Sequence, residues 1–445
     1  MRLASTEASP PRRTRGTLWA DLLVALTSAS SVSSVVAMFV VSTFLCALGA
    51  SASIDSLETT FFDALEHPAI GYATRPANDP VAALNRKLAG GDISFRFDPA
   101  NGYLRSTLDA LGIAVQSQIA VFSKTSVQAR IIDQSNPRTI FFNDEVAVGW
   151  MRDGFIELAA QDPQQGVIFY ALPQQQTPTP QFLRANGCLQ CHHSYATLGV
   201  PGMLTRSVVT ARNGMTLPFL GNYVTDHRSP YEERWAGRYV TGSAGAMRHM
   251  GNVTVIDPNK LDESITSETL NVKSLEGRFD TSTYLSSQSD IAALLVFDHQ
   301  MRMMNLLTRV GWEARVSSDP EALREHAKEF VDYLLLVDEA PLPGKVQGST
   351  DFAAKFASLG PRDSQGRSLR ELDLEHRLLR YSCSYMIYSA AFDALPAQAK
   401  AAIYARLADV LAGRESSARY ARLSPANRQA IAEILRDTKP DFPRR

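Results

Sequence analysis

The stretch RTIFFNDEVAVGWMRDGFIELAAQDPQQGVIFYAL, residues 138–172, decides the fold. Within it Thr139–Phe142, Val146–Met151, Ile156–Ala160 and Val167–Leu172 are short, apolar and rich in residues that favour strands. Asn143-Asp144, Arg152-Asp153-Gly154 and Gln161-Asp162-Pro163 separate them, and these are turn residues. The spacing predicts a β-meander. Further on, Leu204–Ala211 and Met215–Leu220 flank Arg212-Asn213-Gly214, and Asn-Gly between two such runs predicts a hairpin. Arg238–Thr241 and Asn252–Ile256 read as two more strands, with a Gly-rich loop from Gly242 to Gly251 between them. Residues 138–256 therefore read as one mostly β unit.

The flanks have a different period. Residues 53–137 form a helical lead-in, with Leu57, Phe61, Phe62 and Leu65 at helical spacing and a second helix through Leu104, Leu108, Leu111 and Ile113. Pro76 to Pro99 is rich in Pro, Asn, Asp and Gly and reads as loop. Residues 257–288 are polar and read as a linker. Residues 289–445 read as a helical domain. Ile291–Val316, Pro320–Val337, Leu369–Tyr385 and Pro396–Ala412 carry apolar residues three and four apart. Pro425–Arg436 follows Ser424, a fitting N-cap, and Pro341–Gly366 reads as loop. The expected class is α+β, a β-rich unit followed by a helical C-terminal domain.

Inside the β unit lies Cys188-Leu189-Gln190-Cys191-His192. Two thiols three positions apart, with an imidazole directly after the second, is the spacing for covalent haem attachment. The sulfurs add to the haem vinyl groups, and the short turn delivers His192 beneath the iron as proximal ligand. A disulfide, a redox pair and a zinc site are the alternatives. Zinc usually recruits a second ligand pair, and the sequence has no second CxxC and no HxxxH. A redox CxxC belongs beside a βαβ pattern, and none precedes this one.

The pentad resembles that of c-type cytochromes. That resemblance implies one covalent haem c, attached outside the cytoplasm, and a redox partner protein. The order of meander, haem motif and returning hairpin also resembles extracytoplasmic haem-c sensor domains of PAS-like topology. Di-haem peroxidases need a second CxxCH, which is absent.

The iron's sixth position separates electron carrier from catalyst. His249 is the first candidate, in a Gly-rich loop where backbone approaches a flat cofactor closely, and Arg248 beside it is expected to pair with a haem propionate. His299 is the second, projecting from the apolar stripe of the helix Ile291–Val316. Met203, Met247 and Met250 are thioethers nearby in sequence, though Met more often fills gaps in a core. His193 should point away from the iron. His227, beside Asp226, is either part of a polar turn or a distal acid–base group. Arg206, Arg238 and Tyr239 are candidates for the haem edge, and Cys383 is read as a core thiol.

The 445 residues have room for two or three domains. A formal net charge of −1 excludes general nucleic-acid binding, which needs a basic face. At the N-terminus, Arg12, Arg13 and Arg15 precede a nearly continuous apolar run from Val35 to Ala50, and Ala50-Ser51-Ala52 matches a cleavage site. Residues 1–52 read as a signal peptide, with an uncleaved membrane anchor as the alternative. The expected protein is an exported, periplasmic mono-haem c-type cytochrome in electron transfer. A haem peroxidase or oxidase with an open distal site, or a haem-based redox or ligand sensor, is the runner-up.

Overall fold

The computed structural model describes residues 63–317, 319–415 and 417–443, and the chain from Thr60 onward forms one compact unit. The leader expected in 1–52 and most of the helix expected at Leu57–Leu65 lie outside the described residues. The class is α+β. Four strands follow one another as expected, β2 (Arg138–Phe142), β3 (Val146–Trp150), β4 (Ile156–Asp162) and β5 (Gly166–Leu172), and a further one, β1 (Ile119–Val121), precedes them within the segment read as a helical lead-in. The short strands β6 (Leu183–Arg184) and β9 (Arg238–Tyr239) close the two edges, giving an antiparallel sheet of order β6-β5-β4-β3-β2-β1-β9. Between β6 and β9 in the chain, β7 (Arg206–Val208) pairs with β8 (Asn222–Val224) as a separate hairpin.

Strands β3 and β5 lack the alternation of a half-exposed sheet because both faces are covered. On one face Val148, Trp150, Ile168 and Leu172 pack against the helices α1 (Pro80–Gly90) and α2 (Leu104–Ala110). On the other, Phe142, Ala147, Ala159 and Phe169 join a larger core. Cys188, Leu189 and His192 pack on this face, the last two within the single turn α3 (Leu189–His192).

Among the described residues the remaining α-helices are α4 (Ser267–Leu270), α5 (Ile291–Val316), α6 (Pro320–Leu334), α7 (Phe352–Ser358), α8 (Ala390–Asp393), α9 (Ala397–Leu411) and α10 (Pro425–Thr438). Helix α5 is central: 22 of its 26 residues are buried, so its sequence is apolar nearly all round rather than in one stripe. Phe297 of α5 meets Phe142 edge-on with ring centroids 5.0 Å apart, and α6 and α9 pack on its other side. The segment read as a linker, 257–288, lies against the sheet, where Val272 and Leu275 pack with Ala120, Phe122 and Tyr239.

Five local expectations need correction. The segment Pro76–Pro99 contains α1: Asp79 caps it by accepting from the Val81 and Ala82 amides, Pro80 starts it, and Gly91 ends it at φ 75°. Those signals are in the sequence but are masked by its loop-like composition. The helix expected at Leu369–Tyr385 is instead a tight reversal. Arg380 and Glu371 bond through their backbones, and the Asp373 carboxylate takes the Glu375 and His376 amides. An aspartate that bonds its own neighbours competes with the helical ladder. The Asn213-Gly214 turn forms, with Gly214 at φ 77°, and the two runs pair beside it, Thr210 with Thr216 and the Leu217 amide with the Val209 carbonyl, but β7 itself pairs with β8 rather than with Met215–Leu220. Asn252–Ile256 contributes one isolated bridge, Ala211 with Val255. The segment Pro341–Gly366 also contains α7 and the two-residue strand β11 (Gln347–Gly348), which pairs with β10 (Gly242–Ser243).

Asp290 fixes the start of α5. One carboxylate oxygen accepts from the Ala292 and Ala293 amides, and the other accepts from the Thr350 amide at 2.8 Å and hydroxyl at 2.6 Å. Asp290→Ala removes a helix cap and strands buried donors, so a loss of about 3 kcal/mol is expected. Urea unfolding at neutral pH checks this, as a lower midpoint with an unchanged m-value.

Candidate functional site

The Cys188–His192 segment hangs from the edge of the sheet. Leu183 and Arg184 of β6 pair with Ala171 and Tyr170 of β5, and the Ala185 amide donates to the Phe169 carbonyl at 2.8 Å. A single 3-10 turn, Asn186–Cys188, leads into α3. Helical spacing of three puts Cys188 and Cys191 on one side of this turn. Both thiols are free, Cys188 half-buried and Cys191 exposed. Burial pushes the Cys188 thiol up, with Glu157 and Cys191 adding to the shift.

His192 is tied to the loop that follows. Its Nδ1 lies 2.9 Å from the Gly202 carbonyl oxygen, while the Gly202 amide donates to the His192 carbonyl at 2.9 Å. A carbonyl oxygen only accepts, so Nδ1 carries the hydrogen and the Nε2 lone pair is left for another partner. The ring packs on Phe169, with centroids 4.8 Å apart. Burial pulls its pKa below 6.5, the Gly202 bond opposes this, and Arg138 pulls the same way as burial.

Helix α5 braces the same loop from behind. Asn305 accepts from the Met203 amide and donates to the Met203 carbonyl, each at 2.7 Å. A Cβ on Gly202 would stand 2.3 Å from the Asn305 side-chain oxygen, so this position takes only glycine without displacing the clamp. Thr308 bonds Gln161 of β4 at 3.0 Å, one helical turn along. Next to the motif, Leu183 and Tyr195 remain 52 % and 68 % exposed, an apolar rim beside the two thiols.

No protein-family model, curated protein or solved structure matches this chain. The site is therefore read from its own chemistry. Among the described residues, no group of three or more His, Cys, Asp or Glu side chains gathers where a metal ion could sit. His193 bonds the Gly199 carbonyl through Nε2 at 3.0 Å. A bare zinc ion takes four ligands from the protein, whereas haem iron already holds four porphyrin nitrogens and needs only an axial group. Two free thiols followed by an imidazole with its Nε2 lone pair available fit haem.

Arg248 is exposed and His249, the next residue, is fully buried. The His249 Nδ1 accepts from the Gly251 amide at 3.0 Å and its ring packs on Trp235. Burial pulls its pKa down to about 4, against the pull of the Leu270 carbonyl. His299 uses both ring nitrogens inside the core: Nδ1 meets Nδ1 of His227 at 2.8 Å and Nε2 meets the Ser384 hydroxyl at 2.7 Å, with Tyr333 stacked on the ring. Burial takes its pKa down to about 3, and burial together with His299 takes His227 well below 6.5. The structure thus joins His227 to His299, two candidates the sequence kept apart. Met203, Met247 and Met250 are buried, Arg206 is half-buried, and Cys383 is core.

Sequence reasoning missed Gly202 and Asn305. An Asn in the middle of a buried apolar helix was the available signal.

Two outcomes follow from this geometry. Asn305→Ala leaves the Met203 amide and carbonyl without partners, and a loss of about 2–4 kcal/mol in urea unfolding is expected. His249 has a folded pKa near 4, below its unfolded value of 6.5. Its preference for the neutral form stabilises the fold fully above pH 6.5 and is lost as pH falls towards 4. In His249→Gln that contribution is absent. The stability gap between wild type and variant should therefore change steadily between these two values, in urea titrations run at stepped pH.

Proposed function

We propose that residues 186–203 carry one haem c and that the protein is an exported mono-haem c-type cytochrome passing single electrons to or from a protein partner. The observation that carries this reading is the His192–Gly202 bond, which fixes the imidazole tautomer with Nε2 available as a ligand. A second partner on the far ring nitrogen is the usual support for a metal-binding histidine. Cys188 and Cys191 would hold the haem through thioethers to its vinyl groups, and His192 would ligate its iron through Nε2. When bound, the haem supplies a one-electron iron couple.

The chain's own residues define the rest. Phe169 and Gly202 hold the His192 ring, and Asn305 holds Gly202 and Met203. The exposed position of Cys191 and the apolar rim of Leu183 and Tyr195 favour a cofactor edge near the surface, where a redox partner can dock. In this arrangement the β-rich unit, 138–256, carries the haem, and the helical region, 289–445, braces it through α5. Export to the periplasm rests on the leader read from residues 1–52 and on haem attachment outside the cytoplasm, and an uncleaved leader would add membrane association.

The second reading, a peroxidase, oxidase or ligand sensor, has an observation of its own. His249 and His299 both have their Nδ1 atoms bonded within the core, and His299 has its Nε2 bonded as well. Either would have to break those bonds to reach an iron. An uncommitted sixth position binds small ligands.

An optical spectrum of protein matured in a host able to attach haem c decides between them. Electron transfer expects a low-spin ferrous spectrum that carbon monoxide leaves unchanged; a carbon monoxide adduct favours the second reading. Cys188→Ala with Cys191→Ala should yield colourless protein of bare polypeptide mass. Wild-type protein that is equally colourless overturns both.

A further inference from the structure

The end of α6 opens onto a cavity of about 130 Å³. Its walls are the turn after α6, residues 335–339, the reversal found in place of the helix expected at Leu369–Tyr385, and the segment 419–423 between α9 and α10. The turn has an uncommon backbone: Leu336 and Asp338 lie at φ 52° and 63°, left-handed values that residues other than glycine seldom adopt. Strain of this kind persists where packing imposes it, and it gathers at ligand clamps. Here it separates two neighbouring acids. Asp338 faces solvent, whereas Glu339 lines the cavity and is 7 % exposed.

The charges around the cavity do not cancel pair by pair. Arg419 is neutralised, with Nη1 on Asp332 at 2.8 Å and Nη2 on Asp338 at 2.7 Å. Arg377 gives Nη1 to the Ser382 hydroxyl at 2.9 Å, and its Nε stands 3.8 Å from Asp373. Arg422 gives Nη1 to the main-chain carbonyl of Glu339 at 2.5 Å and, among the described residues, pairs with no carboxylate. The Glu339 carboxyl accepts from the Leu378 amide at 2.7 Å. Burial pushes its pKa up to about 7, against that bond and the guanidiniums of Arg234, Arg422 and Arg377. A cation without an anion and a carboxyl kept from water therefore share one small chamber. Because Arg422 is fastened to the main chain of Glu339, the two groups stand within about a residue's length of each other.

That pairing selects the ligand. A small oxyanion would meet Arg377 and Arg422 but press against Glu339. A small cation would meet Glu339 but face the two guanidiniums. A neutral molecule would leave both charges uncompensated, which is costly away from water. A molecule with an ammonium and a carboxylate on the same carbon satisfies both at once. The volume leaves room for only a short side chain, and Leu336, Val337 and Leu423 offer it an apolar wall.

We propose that this cavity binds a free α-amino acid with a short side chain, its carboxylate on Arg422 and Arg377 and its ammonium on Glu339. The site is independent of the haem reading, so either can fail without the other.

Titration calorimetry of the purified full-length protein with L-alanine tests this. Saturable binding is expected. Acetate and methylammonium each carry half of the charge pair and should bind at least about tenfold more weakly. Arg422→Met and Glu339→Gln should each weaken alanine by about tenfold or more, since each leaves one ligand charge unmet. Arg422 is exposed, so its variant carries the measurement if the buried Glu339→Gln does not fold. Inorganic phosphate binding as tightly as alanine would make the cavity an oxyanion site and overturn the assignment. Alanine that shows no saturable binding at millimolar concentration, or that binds the variants as well as wild type, overturns it equally and leaves the haem reading standing.

Discussion

The clamp between Asn305 and the backbone of Met203 is the contact on which the site depends. It fastens the loop after Cys188–His192 to the most deeply buried helix of the fold, and that loop in turn holds His192. Both hydrogen bonds of the clamp are sealed from water, where an unpaired amide or carbonyl is expensive. The imidazole therefore inherits its orientation from the core rather than from the short surface turn that bears it. Phe169 completes the support from the sheet, so the ring is held by one aromatic contact and one carbonyl.

This arrangement explains why a polar row runs along an otherwise apolar helix. Asp290, Asp298, Asn305 and Thr308 of α5 each reach a different neighbour: the Thr350 loop, Trp235, the Gly202–Met203 loop and β4. Every one of these side chains is buried and bonded. A purely greasy helix would bury as much surface but would tolerate rotation or sliding. Directional bonds at fixed intervals remove that freedom, and the haem loop is one of the elements registered by them.

Much of this was legible in the sequence. Strands β2 to β5 and helices α5, α6, α9 and α10 appear within a few residues of where period and turn chemistry put them. The misses have physical reasons. At Leu369–Tyr385 the apolar spacing was genuine, but Leu378, Leu379 and Tyr385 reach the core from a reversal shaped by Asp373. At Pro80–Gly90 the caps outweighed a composition that looked like loop. His299 was correctly placed on an apolar face, yet nothing local reveals that His227, 72 residues earlier, takes one of its nitrogens. Arg238 was noticed only as a residue of the right type. Its place across Val121 from Arg138 becomes visible when β9 is laid beside β1, because pairing across the sheet is long-range information.

The clamp joins residues 102 positions apart. Closing so long a loop is entropically slow compared with forming a local hairpin. A chain emerging from its N-terminal end therefore presents Cys188 and Cys191 well before the helix that locks their turn exists. Chemistry at those sulfurs has a natural interval, opened by synthesis order and shut by the arrival of the C-terminal half. Shortening the connection by circular permutation would narrow that interval while leaving every native contact in place.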